Sequence, residues 1–211
     1  MSHTYAYPRP AVTVDSLIFN IDPDNGLEIL LIERAKDPFK GHWAIPGGFV
    51  DMDEDLQPAA KRELKEETGL DITKLFEVGS FAKPDRDPRG RVITIAFWGI
   101  ADKKEQILKA ADDASDYAWI PLKQLQKLAF DHSQIIEASI EKLKCKLLDR
   151  SFISTYFIGK AGEDKLQIVC NDLFEKAYSQ NIFEYLNPIV NPTKKVNPSG
   201  LTPNFFETFF K

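Results

Sequence analysis

The chain has 211 residues, 43% of them hydrophobic and 28% charged, a balance that suits a globular protein with one full domain and an appendage. Its net charge of −5 is opposite in sign to a surface that holds nucleic acid, so a nucleic-acid partner is not expected. No basic segment leads into an apolar run, no stretch has the length of a membrane span, and two cysteines, Cys145 and Cys170, are too few for a disulfide framework, so the expected setting is the cytoplasm, away from membranes.

Along the chain, alternation over Ala11 to Asn20 and an apolar run over Leu27 to Ile32 predict two strands. The turn-forming Asp22-Pro23-Asp24-Asn25-Gly26 between them predicts a hairpin. Residues 34 to 48, with Pro38, Gly41, Pro46, Gly47 and Gly48, read as a structured loop. A helix is expected over 56 to 68, with Pro58 in its first turn and Gly69 at its left-handed end. Val78 to Ala82 and Val92 to Ile100 read as strands around the charged loop Lys83 to Arg91. Tyr117 to Ile120 reads as a last strand, and Leu122 to Leu128 as a short helix. Ile136, Ile140, Leu143 and Leu147 make one stripe of an amphipathic helix over Ser133 to Leu148. Leu166, Val169, Leu173 and Ala177 suggest another helix over roughly 163 to 186, and the Asn- and Pro-rich run from 187 to 203 excludes a regular element. Phe205, Phe206, Phe209 and Phe210 close the chain as an apolar stripe expected to dock on the domain or on a second copy.

On the helix after Gly48, Glu63, Glu66 and Glu67 stand at i, i+3 and i+4 and share one face. Like charges at that spacing weaken a helix, and a divalent cation would turn the repulsion into a site. Arg62, four residues before Glu66, is placed to orient a carboxylate. Taken alone, such a patch beside Lys61 and Lys65 is a solvated face. The whole stretch GFVDMDEDLQPAAKRELKEETGL, however, satisfies G-x5-E-x7-R-E-U-x-E-E-x-G-U, U being a bulky aliphatic residue, through Gly48, Glu54, Arg62, Glu63, Leu64, Glu66, Glu67, Gly69 and Leu70. This is the Nudix box, and the chain resembles a Nudix hydrolase.

The resemblance implies an α/β class fold, an α/β/α sandwich with a mixed sheet over residues 1–150; beyond it, the change of character in the chain makes 151–211 a small, mostly helical extension. The resemblance also implies that Gly48 (by its carbonyl), Glu54, Glu63, Glu66 and Glu67 hold Mg²⁺ (or Mn²⁺), and that Glu63, Glu66, Glu67 and Arg62 carry the chemistry. Glu105, Asp112 and Asp113, in the acidic loop before the last strand, are either candidates for the base that takes a proton from water or part of a plain solvated turn. YPRPAVTVD, KGHWAIPGGFVD, DRDPRGRV, WIPL and LAFDH together resemble the ADP-ribose pyrophosphatase branch and its repressor relatives. A small-molecule nucleotide substrate is thus expected, most simply ADP-ribose cleaved to AMP and ribose 5-phosphate, with another nucleotide sugar or a dinucleotide as the alternative.

For that substrate Arg86, Arg89 and Arg91 either contact a diphosphate or pair with Asp85 and Asp87 at a hairpin tip. Trp43, Phe39 and Phe81 either stack a base or belong to the core, and His132 is read as a cap for the helix it precedes. The alternative from another class is an ADP-ribose-sensing repressor, whose relatives carry an Arg-rich recognition helix after the Nudix domain. Residues 151–211 hold six Lys, no Arg and six acidic residues, which favours the enzyme. Resemblance to dimeric Nudix enzymes makes a homodimer the expected assembly.

Overall fold

The computed structural model describes residues 7–104 and 114–193; Glu105, Asp112, Asp113 and the four C-terminal phenylalanines lie outside the described residues. The strands are β1 (Ala11–Asp22), β2 (Gly26–Arg34), β3 (Trp43–Ala44), β4 (Gly47–Phe49), β5 (Phe76–Phe81), β6 (Val92–Ile100) and β7 (Ala114–Pro121). The helices are α1 (Leu56–Thr68), α2 (His132–Lys146), α3 (Arg150–Tyr156), α4 (Gly159–Leu173) and α5 (Lys176–Val190). The sheet is mixed and runs β3-β2-β1-β6-β5, with β4 on β1 and β7 on β2. β1 and β6 are parallel, while β4 lies antiparallel to β1, with Val14 opposite Gly48 and Asp15 opposite Gly47. This is the α/β/α architecture expected for the family.

By contacts the chain divides into two units, one of residues 1–20 and 29–139, the other of residues 21–28 and 140–211. In the first, α1 is the helix that positions the site. Asp55 accepts the Leu56 N–H at 2.7 Å at its start, and Gly69, at φ 75°, donates to the Lys65 carbonyl at its end. Ala59, Ala60 and Leu64 are buried against Val14, Ile18 and Leu30 of the sheet, and burial of Leu64 contributes about 1.5–3 kcal/mol. Ser16 donates to the Ala60 carbonyl at 3.1 Å, so the β1 side chains that alternate with Val14, Ser16 and Ile18, among them Asp15, project from the opposite face.

In the second unit, Asp22 accepts the N–H groups of Asp24 and Asn25 to close the hairpin turn, and Asp172 of α4 accepts the Leu27 N–H at 2.6 Å. Asp149 caps α3 through Ser151 and Phe152, and buried Asn187 of α5 donates to Glu163 of α4 at 3.2 Å.

Four expectations change. The loop over 34–48 contains β3 and β4, because the Trp43 and Gly47 segments pair with β2 and β1. Only Leu122–Gln124 turns helically, as a single 3₁₀ turn. The single helix expected over 163–186 is two, α4 and α5, separated where Phe174 turns extended (φ −119°, ψ 152°) and buries its ring. α5 runs on through Asn187 and Pro188 to Val190, held by the buried side chains of Leu186, Asn187 and Val190. Among the described residues, no helix is long and apolar enough to cross a membrane.

Candidate active site

β4, the last turns of α1, the Arg86–Arg89 segment and the start of α2 line one cavity of about 360 Å³, a size suited to a nucleotide-like ligand. Gly47 and Gly48 make its floor possible. A Cβ on Gly47 would collide with the Val14 carbonyl, and one on Gly48 with the Glu63 carboxylate, so the strand can press against both only without side chains.

Arg62 organises the acidic face of α1. Its Nε and Nη2 donate to the two oxygens of Glu54, Nη1 donates to Glu63 at 2.8 Å and to Glu66 at 3.1 Å, and Nη2 also reaches the Phe49 carbonyl at 3.1 Å. Only a planar fork can meet five acceptor oxygens on this geometry. The Arg62 hydrogen bond holds the Glu54 carboxyl below its ordinary pKa. Burial pushes Glu63 up, partly offset by Arg62. Glu67 accepts the Gly47 N–H at 2.8 Å, yet burial, with Glu63 and Asp15 nearby, pushes its pKa up to about 8.

A second polar group, which includes residues outside the Nudix box, also lines the cavity. Arg86, with a side chain 4% exposed, makes a two-point pair with Asp131 (Nε to Oδ2 3.1 Å, Nη2 to Oδ1 2.7 Å) and stands 3.8 Å from Asp15. Thr94 donates to Asp15 Oδ2 at 2.6 Å. His132 Nδ1 accepts the Ile45 N–H at 2.9 Å, its Nε2 lies 3.7 Å from Asp15 Oδ1, and burial lowers its pKa. At the mouth the Arg34 guanidinium lies 4.8 Å over the Phe130 ring, and that of Arg89 lies 5.7 Å from Phe130 and 5.6 Å from Phe49.

Of the residues singled out from sequence, Gly48, Glu63, Glu67, Arg86 and Arg89 line the cavity. Glu54 and Glu66 do not; Arg62 draws them away, and Glu66 is 58% exposed. Arg86 is a buried wall residue, and Arg89 is paired with Asp87 at 2.7 Å. Arg91 donates to the carbonyls of Ala82 and Lys83, outside the cavity. Trp43 pairs through its backbone with Glu33 and Leu128, and it is not among the residues that line the cavity. Phe39 packs edge-on against Phe130, with centroids 4.8 Å apart. His132 is the first residue of α2, and its Nδ1 accepts the Ile45 N–H instead of an N–H of its own helix. Asp15, Arg34 and Phe130 carry no motif of their own; Asp15 and Phe130 fall within stretches of family resemblance, and Arg34 has no sequence signal at all.

A NUDIX domain model matches residues 9–139. The chain belongs to the Nudix family. The Nudix domain is 49% identical over 131 residues (62% of this chain, 73% of the relative) to an ADP-ribose pyrophosphatase of Methanocaldococcus jannaschii. The chain is also 33% identical over 208 residues (93% of this chain, 81% of the relative) to the ADPR responsive transcriptional repressor NtrR of Acinetobacter baylyi. Among solved structures, the NUDIX domain of Shewanella oneidensis NrtR complexed with ADP ribose superposes at a TM-score of 0.61, with 33% identity over 65% of this chain and 91% of that one. The same protein with a 27mer DNA gives 0.63, with 28% identity over 81% of this chain and 80% of that one.

Proposed function

We propose that this Nudix pyrophosphohydrolase cleaves ADP-ribose to AMP and ribose 5-phosphate with the help of Mg²⁺ or Mn²⁺. The observation that carries the reading is the juxtaposition of Glu63 and Glu67, turned into a nucleotide-sized cavity, with Arg34, Lys36 and Arg89 along its walls. Cations suit the diphosphate, and Phe130 and Phe49 offer faces for the adenine.

The residues present fit a divalent ion. The donors are hard oxygens on two half-buried carboxylates, and Glu63 stands close enough to raise the proton affinity of Glu67, a repulsion that a cation between them would relieve. Among the described residues, no three His, Cys, Asp or Glu side chains form a ready cage. That suits Mg²⁺, which takes one or two carboxylates and completes its shell with water and phosphate oxygens. Glu63 and Glu67, with the backbone at Gly48, would hold the ion; bound there it supplies Lewis-acid polarisation of the phosphoryl group and a more acidic water. Arg62 fixes the rotamer of Glu63 from behind and keeps Glu54 and Glu66 oriented at the rim. The cationic wall holds the diphosphate in line for attack by a water oxygen on one phosphorus; the new P–O bond replaces the P–O–P bond, the leaving phosphate takes the electron pair, and the water's proton passes to solvent.

Product masses from ADP-ribose, NADH, nucleotide sugars and nucleoside triphosphates with Mg²⁺ test the reading; turnover of triphosphates in preference to ADP-ribose would overturn it.

One observation favours a second reading, an ADP-ribose-responsive repressor: the alignment with the Acinetobacter repressor covers 93% of this chain and so continues well past residue 139. Against it, α4 sets Lys160 and Lys165 against Glu163, Asp164 and Asp172, and α5 sets Lys176 against Glu184, so neither helix is basic. Anisotropy titrations with duplex DNA decide between them: nanomolar, sequence-dependent binding reversed by ADP-ribose would establish the repressor.

A further inference from the structure

The cavity wall beside Glu67 carries a donor and an acceptor set side by side. Asp15 and His132 are 6% and 4% exposed, and both line the cavity. Thr94 occupies Oδ2 of Asp15, which turns Oδ1 toward His132. On His132 the Ile45 N–H occupies Nδ1, so in the neutral ring the proton sits on Nε2. Oδ1 and Nε2 are 3.7 Å apart, too far for a hydrogen bond with each other, and neither is among the sealed, unpartnered polar atoms of the described residues. The Arg86–Asp131 pair holds the arrangement from behind, with the guanidinium 3.8 Å from Asp15.

One acceptor and one donor at this separation suit a single atom that can both donate and accept. A hydroxyl oxygen placed between them donates to Asp15 Oδ1 and accepts from His132 Nε2–H, each at ordinary hydrogen-bond length. Neither a phosphate oxygen, which cannot donate, nor an apolar edge meets both. We infer that Asp15 and His132 form a reader for a sugar hydroxyl of the substrate, selecting a nucleotide sugar over a nucleoside triphosphate that leaves the pair unfilled. The inference rests on the ADP-ribose reading and narrows it: the pair touches the substrate's sugar and has no part in bond cleavage. Selection follows because filling the cavity without that hydroxyl strands two dehydrated polar atoms.

The test compares ADP-ribose with its monodeoxy analogues, one hydroxyl removed at a time from either ribose, on the wild type and two variants, reading kcat/KM with Mg²⁺. His132→Asn places an amide oxygen where Nδ1 stood and keeps the Ile45 bond, while losing the Nε2 donor. Asp15→Asn turns its oxygen to Thr94 and presents a donor in place of Oδ1. The wild type is expected to lose about 10–10²-fold on one deoxy analogue, the range for a hydrogen bond to a charged group. Each variant is expected to lose a similar factor on ADP-ribose and to discriminate against that analogue by less than about threefold. Melting curves identify a misfolded variant, and discrimination by the other variant then stands alone. Variants that slow ADP-ribose and every analogue equally, or a wild type indifferent to all deoxy positions, overturn the reader while leaving the ADP-ribose reading intact. A wild type that ignores ADP-ribose overturns that reading instead, and the same comparison then runs on whichever nucleotide sugar is turned over. If none is, both fall.

Discussion

Replacing Arg62 by lysine separates its charge from its shape. The positive charge stays beside Glu54, Glu63 and Glu66, but an ammonium is a point donor on a flexible stem, whereas the guanidinium binds both oxygens of Glu54, one each of Glu63 and Glu66, and the Phe49 carbonyl. The contact that matters for turnover is the 2.8 Å bond to Glu63, since Glu63 faces the cavity. A hydrogen bond to a charged group contributes about 1.5–3 kcal/mol, and each 1.4 kcal/mol is tenfold, so a released Glu63 weakens metal binding by about 10–10²-fold. Residues that orient metal ligands in other proteins cost about the same range when changed. The assay is a Mg²⁺ titration of ADP-ribose turnover for the wild type and Arg62→Lys. The variant should need about 10–10²-fold more Mg²⁺, with kcat recovering in part at saturation. Half-saturation within twofold of the wild type would show that charge alone suffices and that the fork does not position Glu63.

Glu67→Gln keeps the Gly47 contact but removes a charge at the reacting end, and should lower kcat by about 10²–10³-fold with the fold intact by circular dichroism. In EDTA, Glu67 also gives the stability a pH slope. Its folded pKa stands near 8 against an ordinary 4.5, so the folded chain keeps a proton that the unfolded chain releases, and this group makes stability fall as pH rises from about 4.5 to about 8. Glu67→Gln should flatten that part of the Tm profile; an unchanged profile would refute the buried-proton account. Arg89→Ala, at the cavity mouth, should raise KM several-fold, whereas Trp43→Phe, in the sheet, should lower Tm and leave KM alone. Reversed effects would overturn the placement of the two residues.

The box was legible because its chemistry is local: nine positions within 23 residues place three carboxylates on a helix before any tertiary contact forms. The same locality made α1, its Gly69 end and the β1–β2 hairpin readable from capping and turn residues. Where sequence reading went astray, long-range contacts decided. Two stretches of the 34–48 segment, at Trp43–Ala44 and from Gly47, became strands only by pairing with β2 and β1. Arg91 and Trp43 had the right chemistry for a ligand, but were drawn to backbone and sheet partners that composition does not reveal. Asp15 and His132 are 117 positions apart, and neither motif nor periodicity couples them; β1, Ile45 and the start of α2 bring them to 3.7 Å. By itself, the sequence determined the class of chemistry, since a metal-carboxylate helix needs only spacing. The tertiary structure alone decided which carboxylates face the cavity and what stands beside them, because burial and hydrogen-bond partners across the sheet exist only once the chain is folded.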